Sequence, residues 1–148
     1  MKVEFYILDA TSRQQAMHFA CGLIEKSYAN QQAIYVHLAS KDEAERMDTL
    51  LWTYQEDSFL PHLLFTQTSD EAPILIGYRD APSSNKQVLI NLSDNMPVFY
   101  SEFAHVIEIV FSDPTVQQLA RDRFRQYRES GCELHTYKIN ASERRQPS

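Results

Sequence analysis

The fold class is indicated by residues 3–38, VEFYILDATSRQQAMHFACGLIEKSYANQQAIYVHL. This stretch begins with a short apolar run, VEFYIL (3–8), and ends with a second run rich in β-forming residues, AIYVHL (33–38). Between them, TSRQQAMHFACGLIEKSYAN (11–30) has a Thr/Ser start followed by apolar residues at helical spacing. A strand, a helix and a second strand predict a parallel β-sheet, because a right-handed crossover packs the helix back on the sheet.

The remainder of the chain predicts further elements of the same kind. KDEAERMDTLLW (41–52) has the pattern of a second helix, with acidic residues in its first turn. Runs rich in β-forming residues predict more strands at ILIGY (74–78), QVLINL (87–92), AHVIEIV (104–110) and CELHTYKI (132–139). The clearest helix signal covers about residues 114–130, from a Ser-Asp-Pro start to a stop at Gly131. We therefore predict a three-layer, Rossmann-like α/β domain with a mostly parallel sheet over residues 1–140, and a flexible C-terminal tail over 141–148.

Length and composition are those of a single globular domain. The chain has 148 residues, of which 43% are hydrophobic and 11% aromatic, enough for one core without disulfides or a metal. No apolar stretch approaches the roughly 18 residues of a membrane span, and the N-terminus lacks a signal-peptide cleavage pattern. Cys21 and Cys132 are the only cysteines, too few for a disulfide framework. We expect a reduced, cytoplasmic protein without membrane association.

The chain lacks the sequence motifs of a nucleotide, metal or catalytic site. Its glycines are Gly22, Gly77 and Gly131, and none belongs to a glycine-rich loop that lets the backbone approach a pyrophosphate. The scattered histidines show no zinc-ligand spacing, and no nucleophile motif is present. We expect no catalytic residue, metal or cofactor. One alternative stays open, a nucleotide-dependent α/β enzyme that uses Asp9 at the end of the first strand.

Charge is distributed unevenly along the chain, whose formal net charge is -6. Residues 1–120 contain 7 Lys and Arg against 16 Asp and Glu, a balance of -9, whereas residues 121–148 contain 7 against 4, a balance of +3. The basic excess begins in LARDRFRQYRESG (119–131), which holds four arginines. An acidic body repels nucleic-acid phosphate at long range, so the arginines indicate a local anion site. Direct binding of single-stranded nucleic acid is the second alternative that stays open.

The register of this helix places three of its arginines on one side. At about 100° per residue, Arg121, Arg125 and Arg128 fall together, with Phe124 at their edge. The opposite side should face the core, with Arg123 at its margin, and carries Val116, Leu119, Ala120 and Tyr127. The planar fork of arginine suits bidentate capture of carboxylate or phosphate. The pattern therefore predicts either a solvated surface or a site for a peptide with acidic residues, a terminal carboxylate and an aromatic anchor.

Several segments resemble one known family. They are FYILD (5–9), RMDTLLW (46–52), SFLPH (58–62), AP (72–73), VLINL (88–92), and LARDRFRQYRESG (119–131) followed by LHT (134–136). In this order and spacing, the chain resembles the chi subunit of bacterial DNA polymerase III. The most specific elements are LW-x5-SF-x-PH and LAR-x-R-x3-YR, and the resemblance extends over nearly the whole chain.

The resemblance implies a non-catalytic accessory subunit that binds two protein partners during DNA replication. One partner is the psi subunit, which ties chi proteins to the clamp loader. The other is the acidic C-terminal tail of single-stranded-DNA-binding protein. We expect no cofactor, because the motifs for one are missing, and no direct contact with nucleic acid, because residues 1–120 are strongly acidic.

The same resemblance implies a set of residues for each partner. For the acidic tail these are Arg121, Phe124, Arg125 and Thr136, to which the helix register adds Arg128. For psi they are Trp52, Phe59, Pro61 and His62. The psi residues lie in an irregular stretch with more apolar surface than a loop needs, which is typical of an interface. The alternative is that this stretch closes the core, with Trp52 buried in it.

Overall fold

The computed structural model describes residues 1–54, 60–65, 72–82 and 84–140. These residues form seven strands and three α-helices, with a short 3-10 turn at Tyr100–Glu102. In chain order the elements are β1 (Lys2–Leu8), α1 (Arg13–Ala29), β2 (Ile34–His37), α2 (Lys41–Thr53), β3 (His62–Leu64), β4 (Ile74–Gly77), β5 (Val88–Asn91), β6 (His105–Val110), α3 (Pro114–Glu129) and β7 (Glu133–Ile139). The predicted tail over 141–148 lies outside the described residues, as does Phe59.

The strands form one sheet with the order β3-β4-β2-β5-β6-β1-β7. Every strand pair in the described parts of the chain is parallel. Helices lie on both faces of this sheet, which confirms the predicted three-layer, Rossmann-like α/β fold. β1 lies between β6 and β7, and its register pairs Phe5 with Glu108 on one side and with Thr136 on the other.

Apolar side chains fill both faces of the sheet. α1 and α2 pack on one face, where Ile24 and Met47 are fully buried. α3 and the segment after β5 pack on the other face, around Tyr35, Phe103 and Tyr127. Because both faces are covered, every residue of the central strands β2, β4 and β5 is buried. Within the described ranges, no helix combines the length and the hydrophobicity needed to cross a membrane.

The helices begin at the polar residues that precede their apolar patterns. Ser12, Ser40 and Asp113 each accept a hydrogen bond from a backbone N–H in the first turn of the helix that follows. Pro114 occupies the first position of α3, where its missing N–H costs nothing. After α3, Gly131 adopts a φ of 83°, a left-handed conformation that glycine reaches without a steric penalty. This turn reverses the chain and sends β7 alongside β1.

One strand differs from the sequence-based prediction. β3 forms within the stretch that the sequence analysis described as irregular, and it pairs His62 with Ile74 of β4 at the edge of the sheet. Its three residues follow Pro61 and are too short to show a periodic pattern. The strand exists because β4 offers an edge to pair with, which is a contact between distant parts of the chain.

Candidate functional site

Helix α3 and the neighbouring strands enclose a groove of about 180 Å³. Residues from three strands and from α3 line it: Phe5, Ile7, Val110, Thr136, Gln117, Ala120, Arg121 and Phe124. Most of these side chains are apolar. The exposed Arg121 contributes a cation, and the exposed Thr136 contributes a hydroxyl. The groove is therefore suited to a ligand that has both an apolar group and an anionic group.

The sheet register explains how residues of β7 meet residues of α3. Phe5 of β1 pairs with Thr136 of β7, and its ring lies 5.3 Å from the ring of Phe124 on α3. Phe5 is also 6.0 Å from the ring of Tyr127, deeper in the core. One buried aromatic residue thus sets the spacing between the strand and the helix. As a result, three of the five predicted tail-binding residues, Arg121, Phe124 and Thr136, line one groove.

The other two predicted tail-binding residues lie outside the groove, on the exposed side of α3. Arg125 forms an ion pair with Asp122, with 2.9 Å between Nη2 and Oδ1. Arg128 is exposed in the last turn of the helix. These two charges can attract an acidic ligand through solvent, but the groove itself brings together only Arg121, Phe124 and Thr136 from the predicted set.

The fourth arginine of α3 has a different environment. The helix register predicted Arg123 at the margin of the core-facing side; in the structure it is 4% exposed and lies beside the fully buried Glu108. Arg123 Nε and Nη2 lie 3.1 and 3.0 Å from Glu108 Oε1. Tyr127 Oη donates to Glu108 Oε2 at 2.7 Å, and Asn91 Nδ2 donates to the same oxygen at 3.0 Å. Arg123 is therefore part of a buried polar network and does not belong to the surface row.

Burial controls the electrostatics of this network. It raises the pKa of the Glu108 carboxyl above its ordinary value, while the Arg123 guanidinium and the hydrogen bonds from Asn91 and Tyr127 oppose that rise. Burial next to Glu108 also raises the pKa of Tyr127 far above its ordinary value. Sequence reasoning missed the network, although a signal was available: Glu108 stands alone inside the apolar run HVIEIV of β6.

The core-facing side of α3 is otherwise close to the prediction. Ala120 and Tyr127 are buried, with exposures of 5% and 0%. Val116 and Leu119 are only half-buried.

Three of the four residues implied for psi binding, Trp52, Pro61 and His62, lie near the opposite edge of the sheet. Trp52 at the end of α2 is 55% exposed, so it does not close the core. Its ring contacts that of His62, with 4.8 Å between the centroids. The side chain of His62 is fully buried, and its Nε2 lies 3.3 Å from Asp48 Oδ1. The His62 ring therefore packs against the Trp52 ring from the core side. Pro61 is half-buried beside this pair.

The carboxyl ends of β1 and β6 form the crevice in which open α/β sheets usually bind nucleotides. Asp9, Ser112 and Lys138 line a pocket there. Arg13, in the first turn of α1, contacts instead the segments that follow β5 and β6. It donates to the carbonyl oxygen of Leu92 at 2.8 Å and pairs with Asp94 at 2.9 Å, and its guanidinium lies 5.3 Å from the centre of the Phe111 ring. The Arg13 cation is therefore engaged by groups of its own chain.

Comparison with known proteins decides the family. The family model described as "DNA polymerase III chi subunit, HolC" matches residues 1–135. The chain belongs to the DNA polymerase III chi subunit family. Curated chi subunits are similar over nearly their whole length: the protein of Pseudomonas aeruginosa is 33% identical, covering 93% of this chain and 96% of the relative. The chi subunit of Escherichia coli is 27% identical, covering 89% of this chain and 94% of the relative.

The fold of this chi-family chain also occurs in a larger protein of different sequence. A solved structure titled "Mss116p DEAD-box helicase domain 2 bound to an RNA duplex" superposes with a TM-score of 0.62 at 12% identity. The match covers 96% of this chain and 66% of that one. At this low identity the likeness shows the α/β fold alone.

Proposed function

We propose that this chi-family protein is a non-catalytic subunit of a DNA polymerase III complex that holds two partners at once. One is the psi subunit, and through it the clamp loader; the other is the acidic C-terminal tail of single-stranded-DNA-binding protein. The observation that carries the proposal is the convergence of Arg121, Phe124 and Thr136 on one apolar groove. Membership of the chi subunit family gives the polymerase context.

The groove supports tail binding through complementary chemistry. An aromatic residue near the end of the tail would pack against Phe5 and Phe124. The terminal carboxylate would then accept hydrogen bonds from the Arg121 guanidinium and the Thr136 hydroxyl. Charge-assisted hydrogen bonds of this kind are stronger than neutral ones. Arg125 and Arg128 would attract the upstream acidic residues at longer range, which raises the rate of association more than the affinity.

The second surface is centred on Trp52. An exposed tryptophan backed by a buried, hydrogen-bonded side chain is typical of an interface anchor, because the large ring buries much area at a small cost in conformational entropy. Trp52 is 55% exposed and rests on the buried His62. We propose that psi covers this residue and the half-buried Pro61.

The separation of the two surfaces supports the proposal that both partners bind at the same time. Trp52 belongs to α2, which packs on one face of the sheet near β3, whereas the groove lies on the other face near β7. β3 and β7 are the two edges of a seven-stranded sheet, which at about 4.8 Å per strand are roughly 30 Å apart. Partners at this separation need not collide.

A pair of reciprocal variants tests the two-surface proposal. Arg121→Glu should abolish binding of a synthetic tail peptide and leave the psi complex intact, whereas Trp52→Ala should weaken the psi complex and leave peptide binding intact. Lys26→Glu, which reverses an exposed charge in the last turn of α1, is the matched control for the change in net charge. Binding is measured by titration calorimetry with purified psi and with the peptide. Loss of both partners in either variant, without unfolding, would contradict the proposal.

Direct nucleic-acid binding is the weaker candidate. The residues before α3 are strongly acidic, and Arg125 is neutralised by Asp122. Tight, salt-sensitive binding of naked single-stranded DNA at physiological salt would favour it over the bridging role.

A further inference from the structure

Helix α3 has few fully buried side chains. Among its sixteen residues, only Ala120, Arg123 and Tyr127 are buried. Of these, alanine contributes little apolar area, and the other two carry polar groups that bond to the same carboxylate, Glu108. Val116 and Phe124 add partly buried apolar contacts, but apolar contacts are non-directional and constrain the rotation of the helix less sharply than hydrogen bonds do.

The polar network around Glu108 supplies directional contacts instead. Glu108 lies on β6, Asn91 on the adjacent strand β5, and Arg123 and Tyr127 on α3. Arg123 Nη1 also donates to the carbonyl oxygen of Asp94, in the loop after β5, at 2.6 Å. The contacts thus join two central strands, a loop and two successive turns of the helix. Their geometry allows one rotation of α3 and disfavours the others, because hydrogen bonds weaken steeply with distance and angle.

The rotation of α3 decides whether the groove exists. Arg121 and Phe124 flank Arg123 in sequence but lie on the side that meets Thr136. A helix with side chains has a radius of about 5–6 Å, so a roll of about 20° moves a lining atom by roughly 2 Å. That displacement is enough to break a hydrogen bond to a ligand carboxylate.

We propose that Glu108, Arg123 and Tyr127 are positioning residues for the groove: their buried network sets the rotation of α3 so that Arg121 and Phe124 face Thr136. The inference rests on the proposed tail-binding function for its effect on affinity, but its structural content is independent of any ligand. Buried ion pairs often contribute little to net stability and can instead specify one arrangement of the elements that they join. Stability and positioning can therefore be separated experimentally.

The test replaces the network by apolar residues of similar size, in the triple variant Glu108→Leu, Arg123→Met and Tyr127→Phe. Replacement of buried ion pairs in this way is often neutral or stabilising, so urea unfolding should give a free energy close to that of the unchanged protein. Two further readouts report the rotation of α3. The first is the nuclear Overhauser effect between the rings of Phe5 and Phe124, whose centroids lie 5.3 Å apart. The second is the affinity for a synthetic peptide of aspartates that ends in a free phenylalanine carboxylate.

The expected result is a folded variant in which the ring-to-ring signal is weakened and peptide affinity falls roughly tenfold, the equivalent of one charge-assisted hydrogen bond. Binding of psi should stay unchanged. A stable variant with the original ring-to-ring signal and affinity would overturn the proposal. If the unchanged protein itself fails to bind the peptide, the proposed function fails, whereas the signal between Phe5 and Phe124 still decides the positioning role.

A milder variant keeps the test decisive if the triple variant does not fold. Tyr127→Phe removes one hydroxyl from the network and keeps the ring, and it should lower peptide affinity roughly threefold. The matched control is Tyr100→Phe, since the Tyr100 ring packs on that of Tyr127 with 5.1 Å between centroids while the hydroxyl has no bond to Glu108. Equal affinity in the two single variants and the unchanged protein would refute the positioning role.

Discussion

Replacing Arg121 by alanine should weaken binding of an acidic tail peptide far more than replacing Arg125. Both residues are exposed arginines of α3, one helical turn apart. Arg121 lines the groove beside Phe124 and Thr136, whereas Arg125 lies outside it and is held by Asp122 at 2.9 Å. The contrast isolates the effect of position from the effect of charge.

The expected magnitudes follow from the two environments. A hydrogen bond from a charged donor to a ligand carboxylate contributes about 1.5–3 kcal/mol, so Arg121→Ala should reduce the affinity by roughly 10- to 150-fold. Arg125 acts through solvent, where two charges roughly 10 Å apart interact by about 0.4 kcal/mol. Removing Arg125 also leaves Asp122 unneutralised, which adds a repulsion of similar size. The combined effect should be about two- to fourfold.

The assay is fluorescence anisotropy with a labelled peptide of aspartates that ends in phenylalanine, at low and at high salt. Raising the salt should remove most of the Arg125 effect, because the Debye length falls below the charge separation. The Arg121 effect should persist in part, since it depends on direct contact. In a double-mutant cycle, amidating the peptide and replacing Arg121 should be non-additive, because both changes remove the same bond. Equal losses for the two variants, or full additivity in the cycle, would refute the assignment of Arg121 to the terminal carboxylate.

Three further predictions concern the folded chain itself. Burial lowers the pKa of His37 to about 4, so as the pH falls this histidine takes up a proton in the unfolded chain before it does so in the folded protein. The free energy of unfolding should therefore decrease from about pH 6.5 down to about pH 4, by roughly 3 kcal/mol in total. Urea unfolding at a series of pH values should show a shallower loss for His37→Gln, and an unchanged pH profile in that variant would contradict the assignment. Gly77→Ala should lower the free energy of unfolding by about 1–3 kcal/mol, because its Cβ would lie 2.3 Å from the hydroxyl oxygen of the buried Tyr35. Adding Tyr35→Phe to the same chain should recover part of that loss. Full stability of Gly77→Ala would show that the Tyr35 ring can move aside. Burial raises the pKa of the Cys21 thiol to about 12. A thiol reagent at neutral pH should therefore label the half-buried Cys132 first and Cys21 only on unfolding. Labelling of both cysteines at equal rates would contradict this prediction.

Local sequence signals predicted most of the elements correctly. The apolar periodicity of α1, the Ser-Asp-Pro start of α3 and the stop at Gly131 all depend on neighbouring residues, and the structure places those elements within one or two residues of the prediction. β3 was missed because its order comes from pairing with β4, which is distant in sequence. Arg123 was predicted only at the margin of the core-facing side of α3, because the partner that holds it in the core, Glu108, lies on another element, β6.

Periodicity, capping residues and motif spacing can be read directly from the chain, and they were enough to predict the fold class, the family and the chemistry available on α3. Which arginine of α3 lines a groove depends on packing between parts of the chain that the sequence pattern does not connect. Parallel pairing of Phe5 with Thr136, and the contact of Phe5 with Phe124, bring Arg121 to a groove. The same packing buries Arg123 on Glu108 and leaves Arg125 with Asp122. These three side chains are of the same type, and their environments differ because each meets a different part of the folded chain.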